Sequence, residues 1–163
     1  MSDLTIRRYE PTDADAVWDL HERVLRDIDA YDEAYAHLDA DLRTVEDAYL
    51  DRGGEFLVGG RDGTLVAMGA TQPTAAVDHH ETDPDAAVVR RMRVAPDHQR
   101  RGYGTAILRE LEARAAGSGV ERLVLDTTPD QKNAVALYES FGYTETRREA
   151  APAGEMIFYE KDL

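Results

Sequence analysis

The sequence predicts a mixed α/β fold, a sheet with helices on both faces, and three observations carry that prediction. Short extended stretches separated by glycine-marked turns follow an N-terminal helical pattern in the first half. A strand, helix, strand, helix succession fills the second half, and two further extended stretches close the chain. A length of 163 residues fits one domain over residues 1–163, and no Pro/Gly/Ser-rich linker or internal repeat divides it.

Taken in order, Leu4 to Tyr9 reads as a first strand. Pro11-Thr12 then opens a helix, with Thr12 as N-cap and Asp15 completing a near capping box. Ala14, Val17, Trp18, His21, Val24, Leu25 and Ile28 share one face of that helix, which makes His21 a residue of the core edge rather than a ligand. A second helix is expected over Leu38 to Leu50. Glu55 to Gly59 and Thr64 to Thr71 are strands joined by a Gly60-Arg61-Asp62-Gly63 hairpin turn. A polar loop, Asp78 to Asp85, leads into a strand over Ala86 to Val94. Gly104, Ile107, Leu108, Leu111 and Ala115 then mark a helix that Gly117-Ser118-Gly119 ends. Arg122 to Thr127 reads as a buried strand and Asn133 to Phe141 as a helix. Tyr143 to Arg148 and Glu155 to Tyr159 form a closing antiparallel pair.

Composition narrows the chemistry. The chain has no cysteine, so disulfides, thiolate metal sites and a cysteine nucleophile are excluded. With no signal-like start and no run of 18 apolar residues, a soluble cytoplasmic protein without a membrane partner is expected. The 33 acidic residues outnumber the 19 basic ones, for a formal charge of −14, and only Lys132 and Lys161 are lysines. The acids are dispersed through every element, which fits a hydrated surface from a salt-adapted organism better than one acidic groove. Such a field disfavours nucleic acid, whose binding rests on cationic side chains neutralising phosphates.

The segment Val94-Ala95-Pro96-Asp97-His98-Gln99-Arg100-Arg101-Gly102-Tyr103-Gly104-Thr105 carries the strongest functional signal. A strand ends, Pro96 turns the chain, and a glycine-punctuated loop enters a helix whose first N–H groups are unpaired. Such a loop can cradle a diphosphate, with Arg100 and Arg101 adding charge, or it can be a plain turn with two solvated arginines. It has no Gly-Lys-Ser/Thr of a Walker loop, and Ile107 stands where the dinucleotide fingerprint needs a third glycine. Gln99-x-x-Gly102-x-Gly104 resembles the acetyl-CoA motif of the GNAT acetyltransferases, and Arg91-Met92-Arg93-Val94-x-Pro96 looks like the strand leading into it. Asn133-Ala134-x-x-Leu137-Tyr138-Glu139-x-Phe141-Gly142-Tyr143 is similar to the family's second motif, and Met156 to Leu163 looks like its last strand.

The resemblance implies a mostly antiparallel sheet whose middle strands splay to admit acetyl-CoA, with a cofactor-binding core over about residues 86–145. It implies backbone contacts from Gln99, Arg100, Arg101, Gly102, Tyr103, Gly104 and Thr105 to the CoA diphosphate. Met92 and Val94 would pair with the pantetheine arm, and the N–H near Met92 would polarise the thioester carbonyl. Asn133 would contact pantetheine, or cap its helix. Tyr138 would protonate the departing thiolate. By spacing alone, Tyr138 is a core residue on one face with Ala134, Leu137 and Phe141. The implied function is N-acetyl transfer to an amine by direct attack in a ternary complex. The alternatives are a non-catalytic acyl-CoA sensor and transfer of a bulkier acyl group.

The acceptor is expected to be a small-molecule or peptide amine, with a small molecule favoured because Leu125-Asp126-Thr127-Thr128 departs from the L-E-V-R-x-S-N stretch of ribosomal-protein acetyltransferases. Asp27, Asp29, Tyr31, Asp32, Glu33 and Tyr35 are its expected surroundings. Val88 and Val89 stand where many relatives carry a basic Glu, leaving Glu81, Asp83, Asp85, Asp126 or a water chain to accept the amine's proton. His79-His80-Glu81 invites a metal, but the sequence offers no third spaced ligand, so no metal is expected. The chain is expected to be a monomer or homodimer.

Overall fold

A computed structural model describes residues 3–152 and 154–163, the Tyr35 side chain excepted. Seven strands form one sheet: β1 (Thr5–Arg8), β2 (Glu55–Arg61), β3 (Thr64–Pro73), β4 (Ala86–Val94), β5 (Arg122–Thr127), β6 (Thr144–Ala151) and β7 (Gly154–Asp162), in the order β1-β2-β3-β4-β5-β7-β6. Only β4 and β5 run parallel. Helices α1 (Ala14–Asp27) and α3 (Tyr103–Gly117) both pack on β3 and β4, from opposite faces; α2 (Val45–Ala48) and α4 (Lys132–Ser140) are shorter. No helix among the described residues is long and apolar enough to cross a membrane.

Local chemistry corrects several boundaries. The α1 entrance is capped by Glu10 and Asp13 around Pro11, not by Thr12, because Asp13 accepts the Glu10 N–H at 2.8 Å and a bidentate pair from Arg7. Val17, Trp18, Leu20 and His21 form its buried face, while Ile28 is 52% exposed beyond the helix end. The hairpin turn is the two-residue Asp62-Gly63, both at positive φ, so Gly60 and Arg61 stay in β2. The helix expected over Leu38 to Leu50 is instead a run of 3₁₀ turns (Glu33–Arg43), the single turn α2, and another 3₁₀ turn (Leu50–Arg52). Its backbone kinks at Asp39, where Asp39 and Asp41 turn toward the sheet to meet Arg91.

That meeting sits on a bulge in β4. Ala70 pairs with Arg90 and Met68 with Arg93, so Gly69 alone faces both Arg91 and Met92. Arg91 takes φ 60°, a left-handed conformation that costs a non-glycine residue roughly 1–2 kcal/mol. Its guanidinium, 8% exposed, donates to Asp41 at 3.0 and 2.6 Å and to Asp39 at 2.9 Å. His21 Nε2 lies 3.0 Å from Asp39, and the Tyr49 hydroxyl donates to Asp41. Burial alone would raise the Asp39 carboxyl; the His21 hydrogen bond and the Arg91 charge outweigh it and hold its pKa at about 2. Across the sheet, a Cβ on Gly69 would meet Met92 Sδ at 2.5 Å and Ile107 Cγ2 at 2.6 Å.

Gly69→Ala therefore overpacks the bulge from the α3 side, and a loss of about 1–3 kcal/mol of stability is expected. Urea denaturation checks it: an unchanged midpoint would mean that Met92 and Ile107 move aside without cost.

Candidate active site

β4 and β5 are paired only at Ala86–Arg122, Ala87–Leu123 and Val88–Val124. Beyond Val88 the two strands part, leaving backbone edges of both unclaimed by each other. The β4 bulge lies in this opening, and its extra residue leaves backbone polar groups outside the ladder.

At the end of β4 the chain turns through a 3₁₀ turn (Pro96–His98) into the glycine loop. Arg100 at φ 64° and Gly102 at φ 81° curl that loop into the N-terminus of α3. The Gly102 carbonyl accepts the Ala106 N–H, so the N–H groups of Tyr103, Gly104 and Thr105 have no partner within the helix. Arg100 and Arg101 are exposed beside them. A Cβ on Gly104 would sit 3.5 Å from Leu137 and 3.7 Å from Val94, so packing within the protein does not demand glycine there. The Gln99 side chain turns back to the Val94 carbonyl at 3.2 Å, and Tyr103 is buried with its hydroxyl on Asp3 at 2.6 Å. Only the backbones of those two residues face the loop's hollow.

Tyr138 is 6% exposed, packed edge-on against Tyr143. Tyr49, Tyr103 and Tyr143 each donate their hydroxyl to a carboxylate, on Asp41, Asp3 and Glu112; the Tyr138 hydroxyl makes no such bond. Burial pushes it up to about 12, Arg93 on β4 pulls it down, and Asp126 on β5 adds to the rise. The hydroxyl thus feels both lips of the opening. Asn133 is the exposed second residue of α4, whose N-cap is Gln131, so it does not cap the helix.

The acids expected to serve as base are scattered. Asp83 pairs with Arg122 and accepts the Asp85 N–H, while Glu81 and Asp85 are exposed. Asp126 is different: His79 Nε2 and His80 Nε2 both lie 2.8 Å from its Oδ2. Burial would raise its carboxyl, but the hydrogen bonds and charges of the two imidazoles win and lower it. The loop carrying both histidines is fixed, with His80 6% exposed, His79 and His80 edge-on to Phe158, and Arg147 donating to the His79 carbonyl at 3.2 Å. The third ligand-type residue missing from the sequence near His79 and His80 is therefore Asp126, 46 residues beyond His80, and Glu81 takes no part.

On the opposite side of the opening, the expected acceptor acids prove local. Asp27, Asp29 and Glu33 are exposed, Asp32 caps Ala34 at 2.9 Å, and Arg26 stacks on Tyr31 at 4.4 Å; the Tyr35 side chain lies outside the described residues. The acids of that segment that turn inward, partly buried, are Asp39 and Asp41, which the pattern alone did not single out. Arg93 was likewise missed as a functional side chain. Its Nη1 donates to the Met92 carbonyl at 3.0 Å, and its Nε is sealed from solvent without a partner. Burial, with the neighbouring Arg91 charge, lowers its pKa.

An opened strand pair, a bulged strand beside it and a glycine loop at a helix start together suit a thioester-bearing nucleotide cofactor, and comparison with known proteins agrees. The Acetyltransferase (GNAT) family profile matches residues 15–143. An IAA acetyltransferase of Azospirillum brasilense is 33% identical over 167 aligned positions, covering all of both chains. A GNAT-family acetyltransferase from Staphylococcus aureus Mu50 superposes with a TM-score of 0.83 at 17% identity, over 98% of this chain and 99% of that one. PaiA N-acetyltransferase from Thermoplasma acidophilum, solved in complex with coenzyme A, gives 0.74 at 17% identity over all of both chains. With the profile spanning most of the sequence and a full-length relative beside it, the chain belongs to the GNAT family of acetyltransferases.

Proposed function

We propose that this protein transfers the acetyl group of acetyl-CoA to a small-molecule amine by direct attack, with Tyr138 as proton donor to the leaving thiolate. The observation that carries the proposal is the Tyr138 hydroxyl, which has no hydrogen-bond partner in the protein, on a ring packed in the core and within electrostatic reach of Arg93 and Asp126. When bound, acetyl-CoA supplies the activated thioester. The N–H groups of Tyr103, Gly104 and Thr105 hold its diphosphate, assisted by Arg100, Arg101 and the turn through Gln99 and Gly102. The β4 edge at Met92 and Val94, unpaired with β5, hydrogen-bonds the pantetheine arm, and Asn133 at the start of α4 adds a contact. An N–H freed by the bulge at Met92 polarises the thioester carbonyl.

The amine arrives as an ammonium with a pKa of about 10.4 and must lose a proton before its lone pair can attack. Asp126 and its two imidazoles draw the cation and accept that proton. The nitrogen then bonds to the carbonyl carbon, the tetrahedral oxygen is held by the bulge N–H, the C–S bond breaks, and the nitrogen releases its second proton to solvent to leave the neutral amide. Tyr138, protonated at neutral pH by its raised pKa, protonates the sulfur and recovers its proton from solvent. The dispersed surface acids and the two lysines support a second proposal, that the chain is suited to high salt.

Acetyl-CoA should raise the melting temperature through binding to the native state, and Gly104→Val should lose most of that rise. A rise that survives in the variant would place the diphosphate elsewhere. Tyr138→Phe keeps the ring against Tyr143 and should lower kcat by about 10²–10⁴-fold, with the melting curve and acetyl-CoA affinity retained. Full turnover in that variant would leave Tyr138 as packing. Molar KCl should stabilise the fold over dilute buffer by screening the −14 charge; equal melting temperatures would refute the salt proposal.

A further inference from the structure

We propose that the acceptor is an amine that also carries a carboxylate, an amino-acid-type substrate, whose carboxylate seats on the guanidinium of Arg93. This rests on the acetyl-transfer function proposed above and names its substrate class.

Three arginines of β4 share this region, and of the three only Arg93 keeps a solvent-sealed side-chain nitrogen without a partner. Arg90 donates to Gln72 Oε1 at 2.7 Å, and Arg91 clamps Asp39 and Asp41. Arg93 has no carboxylate within ion-pair distance among the described residues, and one peptide carbonyl is the whole of its hydrogen bonding. A largely desolvated guanidinium with a sealed, unpartnered Nε and no counter-charge is costly, and it does not relieve the cost by losing its proton. An anion relieves it, and the fork of N–H donors matches a carboxylate. The downward pull of burial on Arg93 is in keeping with a group short of a partner.

Direction separates this anion from the CoA phosphates. Met92 lies against the Gly69 position with Ile107 and Leu111, and Val94 lies near Gly104, so both face α3. Arg93, between them in an extended strand, points to the other face. There the Asp39 charge reaches it, from the segment that also grips Arg91. The diphosphate cradle at the α3 N-terminus is on the α3 side.

Asp126 supplies the opposite pole. Arg93 on β4 and Asp126 on β5 act with opposite sign on the same Tyr138 hydroxyl, so a cation and a carboxylate lie on the two strands that part here, both within electrostatic reach of the proton donor. An amino acid is complementary to that pair: its ammonium approaches Asp126 and the imidazoles, and its carboxylate approaches Arg93.

The test is a matched panel with acetyl-CoA, read by thiol release. It contains each proteinogenic L-amino acid, β-alanine and 4-aminobutyrate, each beside its own carboxamide. At least one amino acid should be acetylated with kcat/KM about 10²-fold or more above its amide, since a site built for a polar group rejects the analogue lacking it. Arg93→Gln removes the unpaired charge, so it should melt no lower than wild type. It should collapse the acid-to-amide ratio toward one and leave CoA affinity by calorimetry within about twofold; Arg93→Lys should keep part of the ratio. Amides used as well as acids, no amino acid used at all, or a ratio that survives Arg93→Gln would each overturn the proposal. So would a variant that loses CoA affinity and keeps the ratio, which would assign Arg93 to the cofactor. Absence of any CoA binding by wild type would instead refute the acetyl-CoA function itself.

Discussion

The one-residue bulge in β4 is the constraint on which the rest of the site depends. A regular strand alternates its side chains, and a slip of one residue sends every later side chain to the other face. Here Arg90 and Arg91 fall successively on the face that carries Asp39, Asp41 and Gln72, so the phase changes between them. Because of that change, Met92 and Val94 pack toward α3 while Arg93 looks toward the acceptor side. The bulge also frees the backbone next to where β4 leaves β5. It persists because both flanks over-determine it: Gly69 leaves no room for a Cβ below, and two carboxylates grip Arg91 above.

The same arrangement divides the buried charges into two kinds. Arg91, Asp39, Asp41, His21 and Tyr49 form a closed set in which each charge has a partner, and the gripped acids are not available to a substrate cation. Replacing one member would leave another charge unpaired, so this set acts on stability and on the shape of the bulge. Arg93 stands two residues away in the same strand and belongs to no set. A net charge of −14 makes that contrast sharper, since acids are plentiful in this chain and none is placed against Arg93 among the described residues.

Much of this was legible in the sequence where a local rule decides the structure. Ala86–Val94 and Arg122–Thr127 have the bounds their apolar runs predict, and Gln99-x-x-Gly102-x-Gly104 lies between a strand end and a helix start as its glycines require. The Leu38 to Leu50 segment failed as a helix because a tertiary ion pair pulls Asp39 and Asp41 inward, and no local pattern announces a partner some 50 residues away. His79 and His80 were visible, but their meaning depends on Asp126, which only the fold brings within 2.8 Å. Arg93 could not be told from Arg90 or Arg91 by sequence. The bulge, not the residue type, gives the three arginines different surroundings.

Periodicity identifies what is buried, and partner bookkeeping then separates packing from chemistry. Tyr138 satisfies the helical spacing of a core residue, and its ring is in the core. The protein itself satisfies the hydroxyls of Tyr49, Tyr103 and Tyr143, with Asp41, Asp3 and Glu112, and gives that of Tyr138 no partner. The Tyr138 hydroxyl has no protein partner, and leaving the sealed Arg93 Nε without an acceptor costs stability that a fold without a ligand has no reason to accept. Both omissions fall at one place, where β4 and β5 diverge. Their coincidence is evidence that the missing partners belong to a bound molecule, with a group to be protonated near Tyr138 and an anion near Arg93.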